Sequence, residues 1–245
     1  MKTIASEDQG PLADSSQRLP LRTLRRFAQQ GYELRTERKL PVEHCDMCGL
    51  ALPGEHHHVL KLANQQILCA CQSCALSFDT EQGGAATYRL VPDRCLALED
   101  FVLREQQWHD LLIPVEMAFF FVSSKEARVK AFYPGPAGAI ESLLRMEHWS
   151  ELLASNPVLR LLVPDVEALL INRLGSTHTC YLVPIDSCYR LVGTIRTSWR
   201  GLSGGSEVWQ AIENFFTELQ AQVRPLNSRE RQLAERLSGE GVCDA

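Results

Sequence analysis

Cysteines are concentrated in one short part of the chain, and their spacing there suits a metal ion. Two tetrads of the form C-x-x-C, at residues 45–48 and 71–74, are each followed by a small residue and a leucine. A tight turn between two cysteines lets both thiolates face one ion, and two such turns supply the four sulfur ligands that Zn²⁺ accepts at about 2.3 Å. The predicted ligands are Cys45, Cys48, Cys71 and Cys74.

The two tetrads flank a stretch that resembles a β-hairpin. Twenty-two residues separate Cys48 from Cys71, slightly more than the usual spacing in zinc ribbons, and an extended hairpin can absorb the excess. A module of this size has little hydrophobic core of its own, and a bound ion can contribute about 10 kcal/mol of folding free energy. We therefore expect the metal to be structural.

Three further side chains near the tetrads carry metal-binding atoms. On an extended strand Cys69 lies on the same side as Cys71, and His56 and His58 share a face of the preceding strand. Each of the three is an alternative ligand or a neighbour of the ligands. A spare thiol and a solvated histidine run are the simpler interpretations.

The identity of the metal stays open between zinc and iron. The tetrads resemble the knuckles of rubredoxins and zinc ribbons, in which a glycine follows the second cysteine; Gly49 matches and Ala75 departs. A tetrahedral set of four sulfurs suits both ions. No paired aromatic shell of the rubredoxin type is evident, which favours zinc.

Composition restricts the class of protein. The chain has 245 residues, 45% of them hydrophobic, and a formal net charge of −5, which disfavours a general electrostatic grip on nucleic acid. No apolar run is long enough to insert into a membrane, and no secretory signal is recognisable. We expect a cytoplasmic protein, where clustered cysteines bind metal more often than they form disulfides.

The pattern along the chain predicts an α+β protein, with a small zinc-ribbon-like β-hairpin module joined to a mixed α/β domain that has a largely antiparallel sheet. The expected segments are a disordered tail (1–17), a basic amphipathic helix (18–40), a four-cysteine ribbon (41–95), an α+β domain (96–224), and a charged C-terminal helix and tail (225–245).

Local periodicity assigns the main elements. The stretch 57–70 predicts strand, turn and strand, and apolar runs rich in β-branched and aromatic residues predict strands at 113–124, 128–135, 166–174, 177–185 and 188–199. Helical spacing predicts helices over 138–157, 205–223 and 228–239.

One glycine-rich turn in the larger domain opens a predicted helix and carries two arginines. Exposed N–H groups and guanidinium groups could hold an anion or contact a partner, although capping of the helix by Ser203 or Ser206 is the simpler interpretation. This helix-entry loop comprises Arg196, Arg200, Ser203, Gly204, Gly205 and Ser206.

No recognisable catalytic constellation is present, so we expect a protein that is not an enzyme and leave the question open. Cys180 and Cys188, with His178 nearby, could form a nucleophile pair, but cysteines on core strands are the simpler interpretation. The acidic residues of this part look like isolated carboxylates in loops or at strand edges; they are Asp165, Glu167 and Asp186.

Several distinctive stretches together resemble an uncharacterised bacterial family that is often encoded beside nickel-iron hydrogenase genes. They include "LCACQSCALSF", "AFYPGPAGAIESLL" and "YLVPIDSCYRLVGTIRTSWRGLSGGSEVW", and the resemblance covers about residues 25–222. It implies a role in assembly, maturation or support of a hydrogenase, with a hydrogenase subunit or assembly factor as partner. It assigns no catalytic residue. The alternatives are a rubredoxin-like iron electron carrier and, disfavoured by charge, a nucleic-acid-binding zinc ribbon.

Overall fold

The cysteine-rich part contains a short antiparallel sheet with strand order β2-β1-β3. The structure is a computed structural model that describes residues 42–78, 87–175, 178–201 and 203–239. The tail expected over 1–17 and the basic helix expected over 18–40 lie outside the described residues. The elements of this part are β1 (His57–Lys61), β2 (Gln66–Ala70), the short helix α1 (Gln72–Leu76) and β3 (Tyr88–Leu90).

The rest of the chain is built around a seven-stranded sheet of order β10-β4-β9-β8-β5-β6-β7. Its neighbours are antiparallel except for the β10–β4 pair, which is parallel. The strands are β4 (Leu96–Ala97), β5 (Met117–Ser123), β6 (Arg128–Gly135), β7 (Gly138–Ser142), β8 (Glu167–Asn172), β9 (Thr179–Pro184) and β10 (Arg224–Pro225). The α+β class and the largely antiparallel sheet are confirmed.

Helices cover both faces of this sheet. They are α2 (Glu105–Asp110), α3 (Met146–Ser155), a 3₁₀ helix (Pro157–Leu161), α4 (Ile185–Ser198), α5 (Gly205–Gln222) and α6 (Ser228–Gly239). Within the described ranges, none of them has the length and apolar character needed to cross a membrane.

The central strands are apolar on both faces because each face has its own core. Phe119 and Phe121 pack with α4 and α5, whereas Phe120, between them, packs on the other face with Trp149 and Ala234 from α3 and α6. Side chains of a strand alternate between faces, so a run of consecutive phenylalanines satisfies both cores at once.

The ribbon packs on the same face as α4 and α5. Leu60 of β1 and Val91, just after β3, belong to the same buried cluster as Phe119. The described residues from Glu43 onward therefore form one compact unit. The predicted boundary between residues 95 and 96 stays a prediction.

Most local assignments agree with the structure, and two do not. The predicted hairpin is β1 and β2, and the helix predicted over 228–239 is α6. The strand predicted over 188–199 is wrong, because this stretch lies in α4. Its buried side chains recur at helical spacing and form one face; they are Ile185, Cys188, Leu191, Val192 and Ile195.

The helix predicted over 138–157 begins too early. Residues 138–142 form β7, which pairs with β6 through a tight turn, and the helix starts only at Met146. Pairing with an existing strand edge outweighed the weak helical preference of this segment.

Candidate metal centre

The first cysteine pair lies on a tight turn fixed by backbone hydrogen bonds. The N–H of Gly49 donates to the carbonyl of Cys45 at 2.8 Å, and the N–H of Cys45 donates to the carbonyl of Leu50 at 2.8 Å. Gly49 adopts φ +75°, a left-handed conformation that glycine takes without the strain of a Cβ. This geometry is the reason for a glycine directly after the second cysteine.

The second pair lies where strand β2 gives way to helix α1. Cys71 is the N-cap residue of α1, and its carbonyl accepts a hydrogen bond from the N–H of Ala75 at 2.9 Å. Cys74 follows within the first turn of the helix. A helical turn replaces the glycine turn here, which explains why Ala75 is accepted at the position that corresponds to Gly49.

The two turns bring four sulfur atoms together, and we call this set the four-cysteine cluster. Its members are Cys45, Cys48, Cys71 and Cys74, and their Sγ atoms all lie within 4.8 Å of one another. Two of them, from Cys48 and Cys71, are 3.8 Å apart. Four sulfurs at about 2.3 Å from one tetrahedral ion are separated by about 3.8 Å. The cluster can therefore hold a metal ion.

Protonation of the cluster is uneven. Burial raises the pKa of Cys45, but hydrogen bonds from backbone N–H groups, led by that of Cys71, outweigh burial and lower it to about 6. Hydrogen bonding to the sulfurs of Cys71 and Cys48 raises the pKa of Cys74 to about 12. Four neighbouring thiols cannot all ionise alone, whereas a divalent cation at their centre offsets the charge and displaces the protons.

Asp46 connects the first cysteine turn to strand β2, which leads into the second cysteine turn. Its backbone N–H donates to the carbonyl of Cys69 at 2.9 Å, and its carboxylate accepts from the N–H of Cys69 at 2.7 Å. These hydrogen bonds hold both halves of the candidate site in register. Sequence reasoning missed this role, because only the folded chain shows that residues 46 and 69 are neighbours.

The three alternative ligands form a second group, which we call the His–Cys cluster: His56, His58 and Cys69. One ligand atom from each lies within 4.8 Å of the others. The strand register pairs His58 with Cys69 directly across β1 and β2, and His56 lies two residues before His58. The structure thus places these residues beside one another as a second group, in which Cys69 also packs against the four-cysteine cluster.

The carboxylates expected to be isolated are buried or paired, so that interpretation was wrong. Asp186, at the start of α4, lies 2.8 Å from Nδ1 of His58, although 128 positions separate them in the chain. This carboxylate raises the pKa of His58 through the hydrogen bond, against the opposing effect of burial.

Two fully buried carboxylates attach the ribbon side of the molecule to the large sheet. Glu167 accepts hydrogen bonds from Arg94 at 2.9 and 2.6 Å, and Asp165 accepts one from Arg89 at 3.2 Å. Both acidic side chains are 0% exposed. A buried charge requires a partner of this kind. The ribbon is therefore fixed by ion pairs as well as by apolar packing.

The helix-entry loop lies where α4 ends and α5 begins. Gly204 is the N-cap of α5 with φ +89°, and no side chain caps the helix by a hydrogen bond, so the expected capping by Ser203 or Ser206 is wrong. The guanidinium of Arg200 donates to the carbonyls of Thr197 and Trp199, each at 3.0 Å. Contact of this loop with an anion or partner stays a prediction.

The other candidate nucleophiles are deeply placed. Burial raises the pKa of Cys180 to about 12 and that of Cys188 well above its ordinary value. Cys188 is fully buried on helix α4, not on a strand as expected, and Cys180 lies on β9. Neither thiol is prepared to act as a thiolate.

Comparison with known proteins places the chain in a family by sequence. No curated protein and no solved structure matches it. One family model matches residues 44–223, which span both knuckles, every strand of the large sheet except β10, and the helices α4 and α5. The chain therefore belongs to the family described as "Family of unknown function (DUF5947)".

Proposed function

We propose that the protein is a zinc-binding accessory protein in which the four-cysteine cluster holds one structural Zn²⁺ ion. The observation that carries this proposal is the 3.8 Å separation of the Cys48 and Cys71 sulfurs within a cluster of four, because it equals the edge of a tetrahedron around zinc, about 3.8 Å. The ion stabilises the turn that carries Cys45 against strand β2.

Zinc is favoured over iron by the surroundings of the sulfurs. The apolar residues packed with the cluster are Leu52 and Met47, and this cluster contains no aromatic side chain among the described residues. The alternative, a rubredoxin-like iron site that carries electrons, uses the same four ligands. The absorption spectrum distinguishes the zinc site from the iron site, since an iron site is coloured and a zinc site is colourless.

The test is element analysis of the full chain purified from its native host, because overexpression often loads sulfur sites with the wrong metal. We expect zinc bound at the cluster and its loss in Cys45→Ser. Cys95→Ser is the matched control, because Cys95 lies outside the four-cysteine cluster. Loss of metal from both variants alike, or no bound metal in the wild type, would reject the proposal.

We further propose that the protein acts by contact with another protein. Support comes from the leucines that follow the two knuckles: Leu50 is 58% exposed and Leu76 is 59% exposed. Large apolar side chains beside a rigid metal site are typical anchors of a protein interface. The sequence resemblance described above supports a nickel-iron hydrogenase subunit or assembly factor as the partner.

Co-purification tests this second proposal. A tagged full-length chain should recover a hydrogenase component from cells that express the enzyme, and Leu50→Ser together with Leu76→Ser should reduce the recovery while zinc content is unchanged. The control is Leu143→Ser, because Leu143 is also exposed, at 86%, but follows strand β7 of the large sheet and belongs to neither knuckle. Recovery of no hydrogenase component would count against this partner.

A further inference from the structure

The His–Cys cluster has the composition of a metal site in its own right. Two imidazoles and one thiol are brought together by the pairing of β1 with β2, with His58 directly opposite Cys69. The rings of His56 and His58 meet edge to face, with centroids 4.8 Å apart. Imidazole and thiolate are the ligands that zinc and neighbouring transition ions prefer.

His56 has a buried ring nitrogen without a hydrogen-bond partner among the described residues. Its Nδ1 lies 3.0 Å from the carbonyl of Pro53, so Nδ1 carries the proton and donates. The lone pair of the neutral ring is then on Nε2, which is buried and has no hydrogen-bond partner among the described residues. The side chain is only 5% exposed. Buried polar atoms are normally satisfied, and an orphaned one requires an explanation.

The nearest charged candidate does not supply that explanation. The carboxylate of Glu43 lies 3.6 Å from Nε2 of His56, which is beyond hydrogen-bonding distance. Glu43 is itself 59% exposed and can be solvated without His56. A cation bound to Nε2 would satisfy the nitrogen and benefit from the nearby carboxylate.

His58 is oriented in the way that metal-binding histidines are. Its Nδ1 lies 2.8 Å from Oδ2 of Asp186, so Nδ1 donates to the carboxylate and Nε2 is left for a ligand. A carboxylate behind a histidine fixes the ring and increases the basicity of the opposite nitrogen. Both histidines thus hold Nδ1 on an oxygen, and among the described residues no hydrogen bond engages their Nε2 atoms.

The distances need only a small adjustment to coordinate one ion. Around a tetrahedral zinc, two nitrogens are about 3.3 Å apart and a nitrogen and a sulfur about 3.6 Å apart. One ring nitrogen of each histidine and the sulfur of Cys69 lie within 4.8 Å of one another, so a contraction of at most about 1.5 Å, within the reach of side-chain rotation, closes the site.

Three protein ligands leave one coordination position. His56 and His58 line an open cavity of about 570 Å³, together with Asp93, Asp186 and Arg190. The cavity therefore brings solvent to the histidine side of the group. Zinc sites with three protein ligands and one exchangeable position are typical of reactive rather than structural zinc.

We propose that the chain has a second metal site, in which His56, His58 and Cys69 bind a divalent transition ion such as Zn²⁺ and the fourth position opens into this cavity. Asp186 is a positioning residue for His58. The site shares no ligand with the structural zinc site, although Cys69 packs beside that site, and the chain then binds two ions.

The experiment uses the full chain equilibrated with zinc, freed of loosely bound ions and measured for zinc per chain. We expect two ions in the wild type and one in Cys69→Ser and in His56→Gln. The matched control Cys95→Ser should keep two, because Cys95 lines the same cavity without belonging to the cluster. Asp186→Asn should weaken binding of the second ion by about 10–100-fold.

The other outcomes are each decisive. One ion in the wild type, unchanged in Cys69→Ser and His56→Gln, overturns the second site and leaves the structural zinc intact, whereas no ion in the wild type rejects both sites. Two ions in every variant overturn this choice of ligands. Circular dichroism checks that each variant is folded, and if Cys69→Ser is not, the zinc content of His56→Gln decides.

Discussion

We expect the buried ion pair between Arg94 and Glu167 to contribute strongly to the attachment of the cysteine-rich part to the large sheet. We predict that Arg94→Met destabilises the protein by about 3 kcal/mol. Glu167 is 0% exposed, and Arg94 supplies two of the three hydrogen bonds that its carboxylate accepts from described residues. In the variant, the buried carboxylate of Glu167 keeps only the hydrogen bond from the backbone N–H of Val163 among the described residues.

The magnitude follows from the geometry. Hydrogen bonds to a charged group each contribute about 1.5–3 kcal/mol, and two are lost. Arg94 also donates to the carbonyl of Leu161 at 2.9 Å, which loses that partner. Because the Arg94 side chain is 27% exposed, water can enter the space it leaves, so we place the cost near the lower end of the range of about 3–5 kcal/mol for breaking buried pairs.

Urea unfolding followed by circular dichroism measures the effect, at fixed pH and with excess zinc. Arg128→Met is the matched control, because Arg128 pairs with Glu126 and Glu141 while 40% exposed, and exposed pairs contribute only about 0–1 kcal/mol.

The double variant Arg94→Met with Glu167→Leu completes the cycle. Removing both charges should recover most of the loss, because the penalty comes from the unpaired carboxylate. An Arg94→Met variant that loses no more stability than Arg128→Met, or a double variant less stable than Arg94→Met alone, would refute this role of the ion pair.

Three further predictions concern a glycine, a surface ion pair and metal release. Gly204→Ala should lower the free energy of unfolding by about 1–3 kcal/mol in thermal melts, because φ is +89° and a Cβ would lie 2.7 Å from Cγ1 of Val208. The control is Gly193→Ala, inside helix α4, where nothing lies within 4 Å of an added Cβ. This substitution should stabilise the protein by about 0.5–1 kcal/mol. An equal effect of both substitutions would contradict this. The hydrogen bond from Arg224 lowers the pKa of Glu230 to about 2. Its contribution is therefore full above the unfolded pKa of about 4.3 and is lost as pH falls toward 2. Glu230→Gln should cost up to about 1 kcal/mol at pH 7 and progressively less as pH falls from about 4 toward 2, as measured by urea unfolding, and a cost independent of pH would refute the assignment. A zinc ion in the proposed four-cysteine site should be released on acidification, because protons compete for the thiolates. A colorimetric chelator measures the release alongside the loss of stability, and retention of zinc below pH 4 would contradict thiolate ligation.

Much of the fold was predictable because its signals are local. The two C-x-x-C turns, the hairpin between them and the helix from Ser228 to Gly239 each depend on residues close in sequence. The strand predicted over 188–199 failed because β-branched residues such as Val192 and Ile195 are compatible with both structures, and the burial of one helical face decided between them.

The sequence by itself determined that four cysteines could share one ion, since their turns are formed within short segments and a hairpin brings the segments together. Only the tertiary structure decided the surroundings of the histidines. Asp186 reaches His58 across 128 positions, and the carboxylate of Glu43 lies 3.6 Å from Nε2 of His56. Contacts between distant segments leave no periodic trace in a chain, because they are selected by the packing of whole elements and not by the preferences of neighbouring residues.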